Sequence, residues 1–556
     1  STTVNGQFYF GIAGWTRYSG KRTLIIEGGN FHSISGGLDY DGDNGNNSYA
    51  GIVTSQYANA DDVMVEIQMR GGTVRGSIYG AAQFAAGKGI RKYVFTGGTI
   101  NGWVAGGCNG TNTTGGQTYG STQIYVGGNN HIIASNANPQ INSSYGGNVF
   151  GAGSGIEGGT TVGQVNNSTL VVADQSIVGG NVFGGGNYGY VMTDNTANTG
   201  STKIYVTGGT VRGKVFGGSN QQQGQNINIT MTGGIVEGGV YGGSNVTGTI
   251  NQNVTMNIVG GQIGTSTTPG NVNGGGLGTP TRVTGNVDLT IGGTTTKQPL
   301  IYGSVYGGSE SGYVNGTTYS NTKHTNVTMN NGDIHGSLYG GGNGAAGDAN
   351  VYGNVLVTVN GGSVSEAVYG CNNSRGAPQG PVDVIINGTD PAPAEGQYAL
   401  KNVFGGGNAA NYTYTINNKV YPTVTVNNCD NSIEYVYGGG NAATVPGTDV
   451  TIHGGNVIGN VFGGGYGENA VVVGSPTVNV DMVEGDYSNR LKYDKETHPW
   501  NNKIGTIGEI FGGGNAANVQ GNTFVKIGTE GKAANVLHNV YGGGNAADVT
   551  GSTNVV

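Results

Sequence analysis

The chain has 556 residues, of which 115 are glycine and only 10% are charged, and 23 Lys+Arg against 31 Asp+Glu leave a net charge of −8. That balance argues against a nucleic-acid or anionic-membrane partner, and no run of about 18 apolar residues is present to span a bilayer. The lack of a Gly-X-Y period excludes collagen, and fixed offsets between aliphatic and aromatic residues exclude simple glycine-rich disorder, so the chain has to be read as a repeat.

The first stretch, TTVNGQFYF at 2–10, reads as a strand already under way. DYDGDNG follows at 39–45, where Asp39, Asp41 and Asp43 alternate like the start of a calcium loop. Position six of that loop is Asn44 rather than Gly, and position twelve is Ala50 rather than Glu. Two readings stand, a flexible acidic insertion and a Ca2+ site, the latter being the only cofactor the sequence suggests. From residue 78 onward one motif returns: an aliphatic residue, an aromatic, a glycine. Aligned on the aromatic, the series is Tyr79, Ala105, Phe150, Phe183, Phe216, Tyr241, Asn273, Tyr306, Tyr339, Tyr369, Phe404, Tyr437, Phe462, Phe511 and Tyr541. Thirteen of the fifteen are Tyr or Phe, every one is preceded by an aliphatic residue and followed by Gly, and ten have Asn four places on.

Upstream of each anchor lies an alternating segment, as in DVTIHGGNVIGNVFGGG at 449–465. Val450 and Ile452 alternate with polar residues, which marks a strand. The Gly-Gly pair then resets the parity, which marks a corner, and GGGN after the anchor makes a second. A third segment of type V-x-G-x-[VT] follows, and no stretch reads as helix. One such coil cannot bury its own apolar side, but stacked coils can. The predicted fold is therefore all-β: a right-handed parallel β-solenoid of about sixteen coils with Gly-rich corners and stacked aromatic and Asn ladders. It is read as a single continuous solenoid over 1–556, with inserted loops near 38–62, 106–146 and 466–505. Leu400, Ile433 and Leu537, four places before their anchors, predict a local bulge. If the aliphatic residue points inward, simple alternation turns the aromatic outward. Either the backbone tucks the rings into a corner, or they form an exposed interface stripe.

Chemistry-bearing patterns are sparse. No Lys-Ser/Thr follows the glycine strings, so they are not phosphate loops. Polysaccharide hydrolases and lyases of β-helix type need carboxylates clustered in one groove. Asp288, Asp333, Asp383 and Asp449 fall at different offsets from their anchors and are expected to diverge, so no catalytic residue is assigned and an enzyme is not expected. Cys108, Cys371 and Cys429 show no pairing framework, and a Cys108–Cys371 bridge is not expected. The segment 484–503 is dense in charge, and Tyr487, Arg490, Lys492, Tyr493 and Trp500 within it fit either a recognition loop or a decorated spacer.

The repeated GG-x-V-x-G-x-V-[YF]-GGGN resembles the Gly-rich β-solenoid surface proteins of Gram-negative bacteria, of adhesin and autotransporter-passenger type, and the large repeat proteins of Bacteroidota in particular. The resemblance implies a structural rod or filament, extracellular or at the cell surface, or else a ligand- or glycan-binding adhesin stalk. The implied partners are the chain itself, by axial continuation or lateral association, and surface glycans. Both termini stop inside the repeat, which is the pattern expected of a window from a longer repeat chain or of a unit that stacks end to end.

Overall fold

The computed structural model describes residues 3–9, 21–36, 62–81, 87–108, 118–132, 146–154, 163–192, 199–293, 298–391, 397–416, 419–427, 432–455, 457–481, 506–529 and 534–556. Every regular element among them is a β-strand. They fall into two compact units, Ser1–Asn271 with Gly275–Gly285, and Val272–Gly274 with Asn286–Val556. Each unit is a parallel β-solenoid.

A coil passes through three strand positions, columns A, B and C. In the second unit one coil contributes His324–Met329, Asp333–Ile334 and Leu338–Tyr339, and the next contributes Asn354–Val359, Ser363–Val364 and Val368–Tyr369. These stack in parallel with Val327 opposite Val357, Ile334 opposite Val364 and Tyr339 opposite Tyr369. In column A burial alternates: Val355, Val357 and Val359 face the core while the residues between them reach outward. The β-branched residues thus fill a pleated inner face that only the neighbouring coils can cover. The first unit repeats the scheme. Asn167–Val172, Ile177–Val178 and Val182–Phe183 stack on Ser201–Val206, Thr210–Val211 and Val215–Phe216. The return from C to A is pinned by single bridges such as Val445 to Val472 and Val472 to Val519.

Within each unit the aligned anchors pair one coil at a time, Phe150 to Phe183 to Phe216 to Tyr241 in the first and Tyr306 through Tyr541 in the second. The first unit extends the series beyond what the sequence reveals. Tyr79 pairs with Ser35, and Ser35 with Tyr9; a serine at the anchor position hides that coil from a motif search.

The invariant glycine after the anchor has a steric cause. A Cβ on Gly405 would lie 2.4 Å from the Gly438 carbonyl oxygen, and one on Gly370 would lie 2.3 Å from that of Gly405. Backbone stacks on backbone here, with Gly370 N–H donating to the Phe404 carbonyl at 3.0 Å and Gly405 N–H to that of Tyr437 at 3.0 Å. No side chain fits between.

The expected bulge lies elsewhere. Leu400–Phe404 and Ser432–Tyr437 are straight strands in which columns B and C have merged. Earlier coils of this unit hold one residue more between the columns, so Val364 pairs with Leu400 while Val368 pairs with Val403. In the last coil the extra residue returns, with Ile507 bridged to Val536 but Ile510 paired with Val540. Two segments read as insertions also contain ordinary coil strands: Thr122–Val126 and His131–Ile132 lie within 106–146, and Pro476–Val480 lies within 466–505.

Candidate binding groove beside the aromatic ladder

The aromatic anchors stack as the alignment predicts. From Tyr306 to Tyr541 in the second unit, consecutive ring centroids lie 4.7–4.9 Å apart and the planes are within 5–12° of parallel. In the first unit Phe150, Phe183, Phe216 and Tyr241 stack at 5.0–5.1 Å. The aliphatic neighbour and the aromatic are both buried, as at Val403 and Phe404. The rings therefore sit in a corner outside the coil's aliphatic interior, each covering its neighbours' faces. They are not an exposed stripe. Where the series breaks at Ala105, Trp103 packs against the cluster and meets Tyr79 edge-on at 6.0 Å.

Asparagine forms a second ladder alongside. Asn441 donates through Nδ2 to Asn408 Oδ1 at 2.8 Å, Asn408 to Asn373 at 2.8 Å, Asn373 to Asn343 at 2.7 Å, and Asn343 to Glu310 Oε1 at 2.8 Å. All the amide dipoles point the same way and end on a carboxylate, an arrangement in which each bond polarises the next. The ladders are joined, since Tyr339 Oη donates to Asn373 Oδ1 at 3.2 Å and Tyr369 Oη to Asn408 Oδ1 at 3.3 Å. Burial pushes the Tyr339 phenol up to about 12 and holds those of Tyr369 and Tyr437 higher still, so these hydroxyls stay protonated donors. An outer ladder of Asn427, Asn387, Asn360 and Asn330 runs along the ends of the column A strands.

Between Tyr339 and Tyr466 the second unit opens into a groove of about 500 Å3. Its floor is the ring edges of Tyr339, Tyr369, Phe404 and Tyr437. One wall carries Asn408 and Asn441, and the other carries Glu366, Lys401, Asn402 and Tyr435. Tyr466 closes one end. It stands four places after Phe462, where the repeat has Asn, and its ring meets Tyr437 edge-on at 5.8 Å while remaining 47% exposed. The groove spans the change of coil type, with Glu366 supplied by a coil of the longer kind and Lys401, Asn402 and Tyr435 by the straightened coils. The ladder residues were legible as repeats. The groove residues are departures from the repeat, and that departure is the signal by which they could have been found.

The carboxylates are arranged differently from the expectation. Asp288, Asp383 and Asp449 share one outward register of column A, through the pairs Asp288–Asn326, Asn326–Leu356, Leu356–Asp383, Asp383–Thr423 and Thr423–Asp449. Only Asp333 belongs to another column, opposite Ser363. Offsets counted from the anchors misled because the corner length varies between coils. Asp383 and Asp449 are two coils apart, roughly 10 Å at the sheet spacing, with Thr423 between them donating to Asp383 Oδ1 at 2.6 Å. Burial raises the Asp449 carboxyl, partly offset by Asn479 and Lys419. Beside this column Lys419 lies over the Tyr421 ring at 4.6 Å.

Cys108 and Cys371 are both buried thiols, and burial pushes the Cys108 thiol up to about 11. Cys429 lies outside the described residues, as do Asp39, Asp41 and Asp43 of the acidic triplet and Tyr487, Arg490, Lys492, Tyr493 and Trp500 of the candidate recognition loop. Among the described residues no group of three or more His, Cys, Asp or Glu side chains is placed to hold a metal, and no helix is long and apolar enough to cross a membrane. No family model matches the chain, and neither a curated protein nor a solved structure does.

Proposed function

We propose that this chain is a structural protein, a β-solenoid segment of a rod or fibre at the cell surface or in the extracellular matrix. The carrying observation is the double ladder. From Tyr306 to Tyr541 aromatic rings stack without a gap, and beside them the amides of Asn343, Asn373, Asn408 and Asn441 bond from coil to coil. Such a chain gains stiffness along the coil stack from every repeat. The positions that repeat from coil to coil are spent on coil-to-coil contacts. The resemblance to Gram-negative adhesins and passengers favours the same reading, with the chain itself as one partner.

Electron microscopy of native material tests it. Filaments or stalks of uniform width, labelled by an antibody to this chain, are the expected result. A freely dispersed protein with no fibre in the native material would overturn it. An adhesive stalk is the second reading, favoured by the groove between Tyr339 and Tyr466. Asp39, Asp41 and Asp43 belong to either reading as a proposed Ca2+ site, and calorimetry with the Asp41→Ala, Asp43→Ala variant tests that part.

A further inference from the structure

Tyr466 interrupts the asparagine ladder in a way that packing alone does not ask for. Asn serves at this position in the two coils preceding it, as Asn408 and Asn441, and in the two following, as Asn515 and Asn545, which bond to one another at 3.1 Å. Replacing the amide by a half-exposed ring breaks the coil-to-coil bond and places an aromatic surface at the end of the groove. Tyr435 stands opposite, 6.1 Å from Tyr437 and tilted by 35°.

The groove wall has a definite hydrogen-bonding character. Asn408 Oδ1 already accepts from Asn441 Nδ2 and from the Tyr369 hydroxyl. Its two lone pairs are used, and one N–H of its amide is left to offer. On the other wall the Glu366 carboxylate and the Asn402 side-chain carbonyl supply acceptors, and Lys401 a donor. The groove thus offers both donors and acceptors, which suits hydroxyl groups, since a hydroxyl both donates and accepts. Glu366 and Lys401 carry opposite charges on neighbouring coils, so the charge complement is a neutral ligand.

The spacing selects between extended polymers. Rings and amides repeat every 4.7–4.9 Å along the groove. A peptide strand laid along it advances ~3.3 Å per residue and falls out of step at once. A linear pyranose chain advances by close to one coil per sugar, so successive sugars stay level with successive amides. We propose that this groove binds a neutral linear glycan, lying parallel to the coil stack across the coils of Tyr339 to Tyr437, with Tyr435 and Tyr466 presenting ring surface to the terminal sugars.

The test uses the full chain and Tyr466→Asn, a variant that restores the repeat and should fold at least as well as the parent. Binding is measured by calorimetry with a neutral β-1,4-linked glucose hexamer, a neutral β-1,4-linked mannose hexamer, a polyuronate fragment and an extended apolar peptide. The expected result is binding of at least one neutral hexamer, weakened fivefold or more by Tyr466→Asn and by Tyr435→Ala, and unchanged by Tyr319→Ala on a different face. Binding of neither neutral hexamer, preference for the polyuronate or the peptide, or neutral-glycan binding indifferent to both groove variants would each overturn the proposal.

Discussion

Removing one ring from the middle of the ladder gives a quantitative measure of what the stack contributes. Phe404 is 2% exposed, with Tyr369 at 4.9 Å on one face and Tyr437 at 4.7 Å on the other. Phe404→Ala therefore loses a buried aromatic side chain and two parallel ring contacts. A buried Phe→Ala change costs about 3–5 kcal/mol, and the two ring pairs, at about 0.5–1.5 kcal/mol each, form part of that sum. Because coils interact chiefly with their neighbours, the loss should be local. Hydrogen exchange read by mass spectrometry is the suitable assay, since a solenoid of this length has no single two-state unfolding free energy. The reporting amides are Gly370, which donates to the Phe404 carbonyl, and Gly405, which donates to that of Tyr437. At about 1.4 kcal/mol per factor of ten, their protection should fall roughly 10²–10³-fold. Amides in the coils of Tyr306 and Tyr541 should change little, and Phe404→Tyr, which keeps the stack, should stay near the parent. A fall below tenfold at Gly370 and Gly405 would show that the ladder is ornamental, and an equal fall across the unit would show that its coils are not independent.

Asn273 is fully buried opposite Tyr306, and its amide Nδ2 and Oδ1 have no hydrogen-bond partner; Asn273→Phe should stabilise by about 1–3 kcal/mol, and a lower melting temperature would refute this. Tyr339 is pushed up to about 12 by burial, so its stabilising effect is complete below the ordinary phenol value near 10 and is lost as pH climbs from about 10 to 12. At about 1.4 kcal/mol per pH unit this amounts to roughly 2–3 kcal/mol. Ultraviolet titration should show the ladder tyrosines ionising late and together with unfolding, whereas ionisation of every tyrosine near 10 in a still-folded chain would contradict it. In a Cys429→Ser background the native protein should resist maleimide at Cys108 and Cys371 until denatured, and rapid labelling of either would contradict their burial. Despite the shared register of Asp383 and Asp449, soluble polysaccharides should release no new reducing ends, and release abolished by Asp449→Asn would establish an enzyme.

Much of the fold is legible in the sequence because the same physical demand recurs at every coil. The glycine after each anchor, the aliphatic residue before it and the Asn four places on answer to neighbours that are copies of themselves, so their repetition is itself the record of the contact. The Ser35 coil escaped because its anchor is not aromatic. The common register of Asp288, Asp383 and Asp449 escaped because it is counted along column A, while corners of unequal length separate column A from the anchors. Groove residues such as Glu366, Lys401 and Tyr435 are singular, and nothing in their own coil says what the adjacent coil places beside them.

The one-residue difference between coil types has a further consequence. In the second unit, coils with the shorter B-to-C connection run consecutively from Leu400 through Ile433 and Ile458 to Ile507, and the longer form stands on either side, at Val364 and at Val536; the first unit has one short coil alone, with Phe31 opposite Val74 and Ile34 opposite Ile78. Like coils stack in register; unlike coils meet with a one-residue mismatch. The two kinds of coil therefore behave like the phases of a one-dimensional magnet. Alternating them would place a defect at every interface, whereas gathering them into a block confines the disruption in this unit to two walls. Whole-coil duplication inside a block adds no wall, so such a block can lengthen freely, while the walls stay few. The groove lies against the first of them, at the place where an otherwise monotonous stack offers irregular surface.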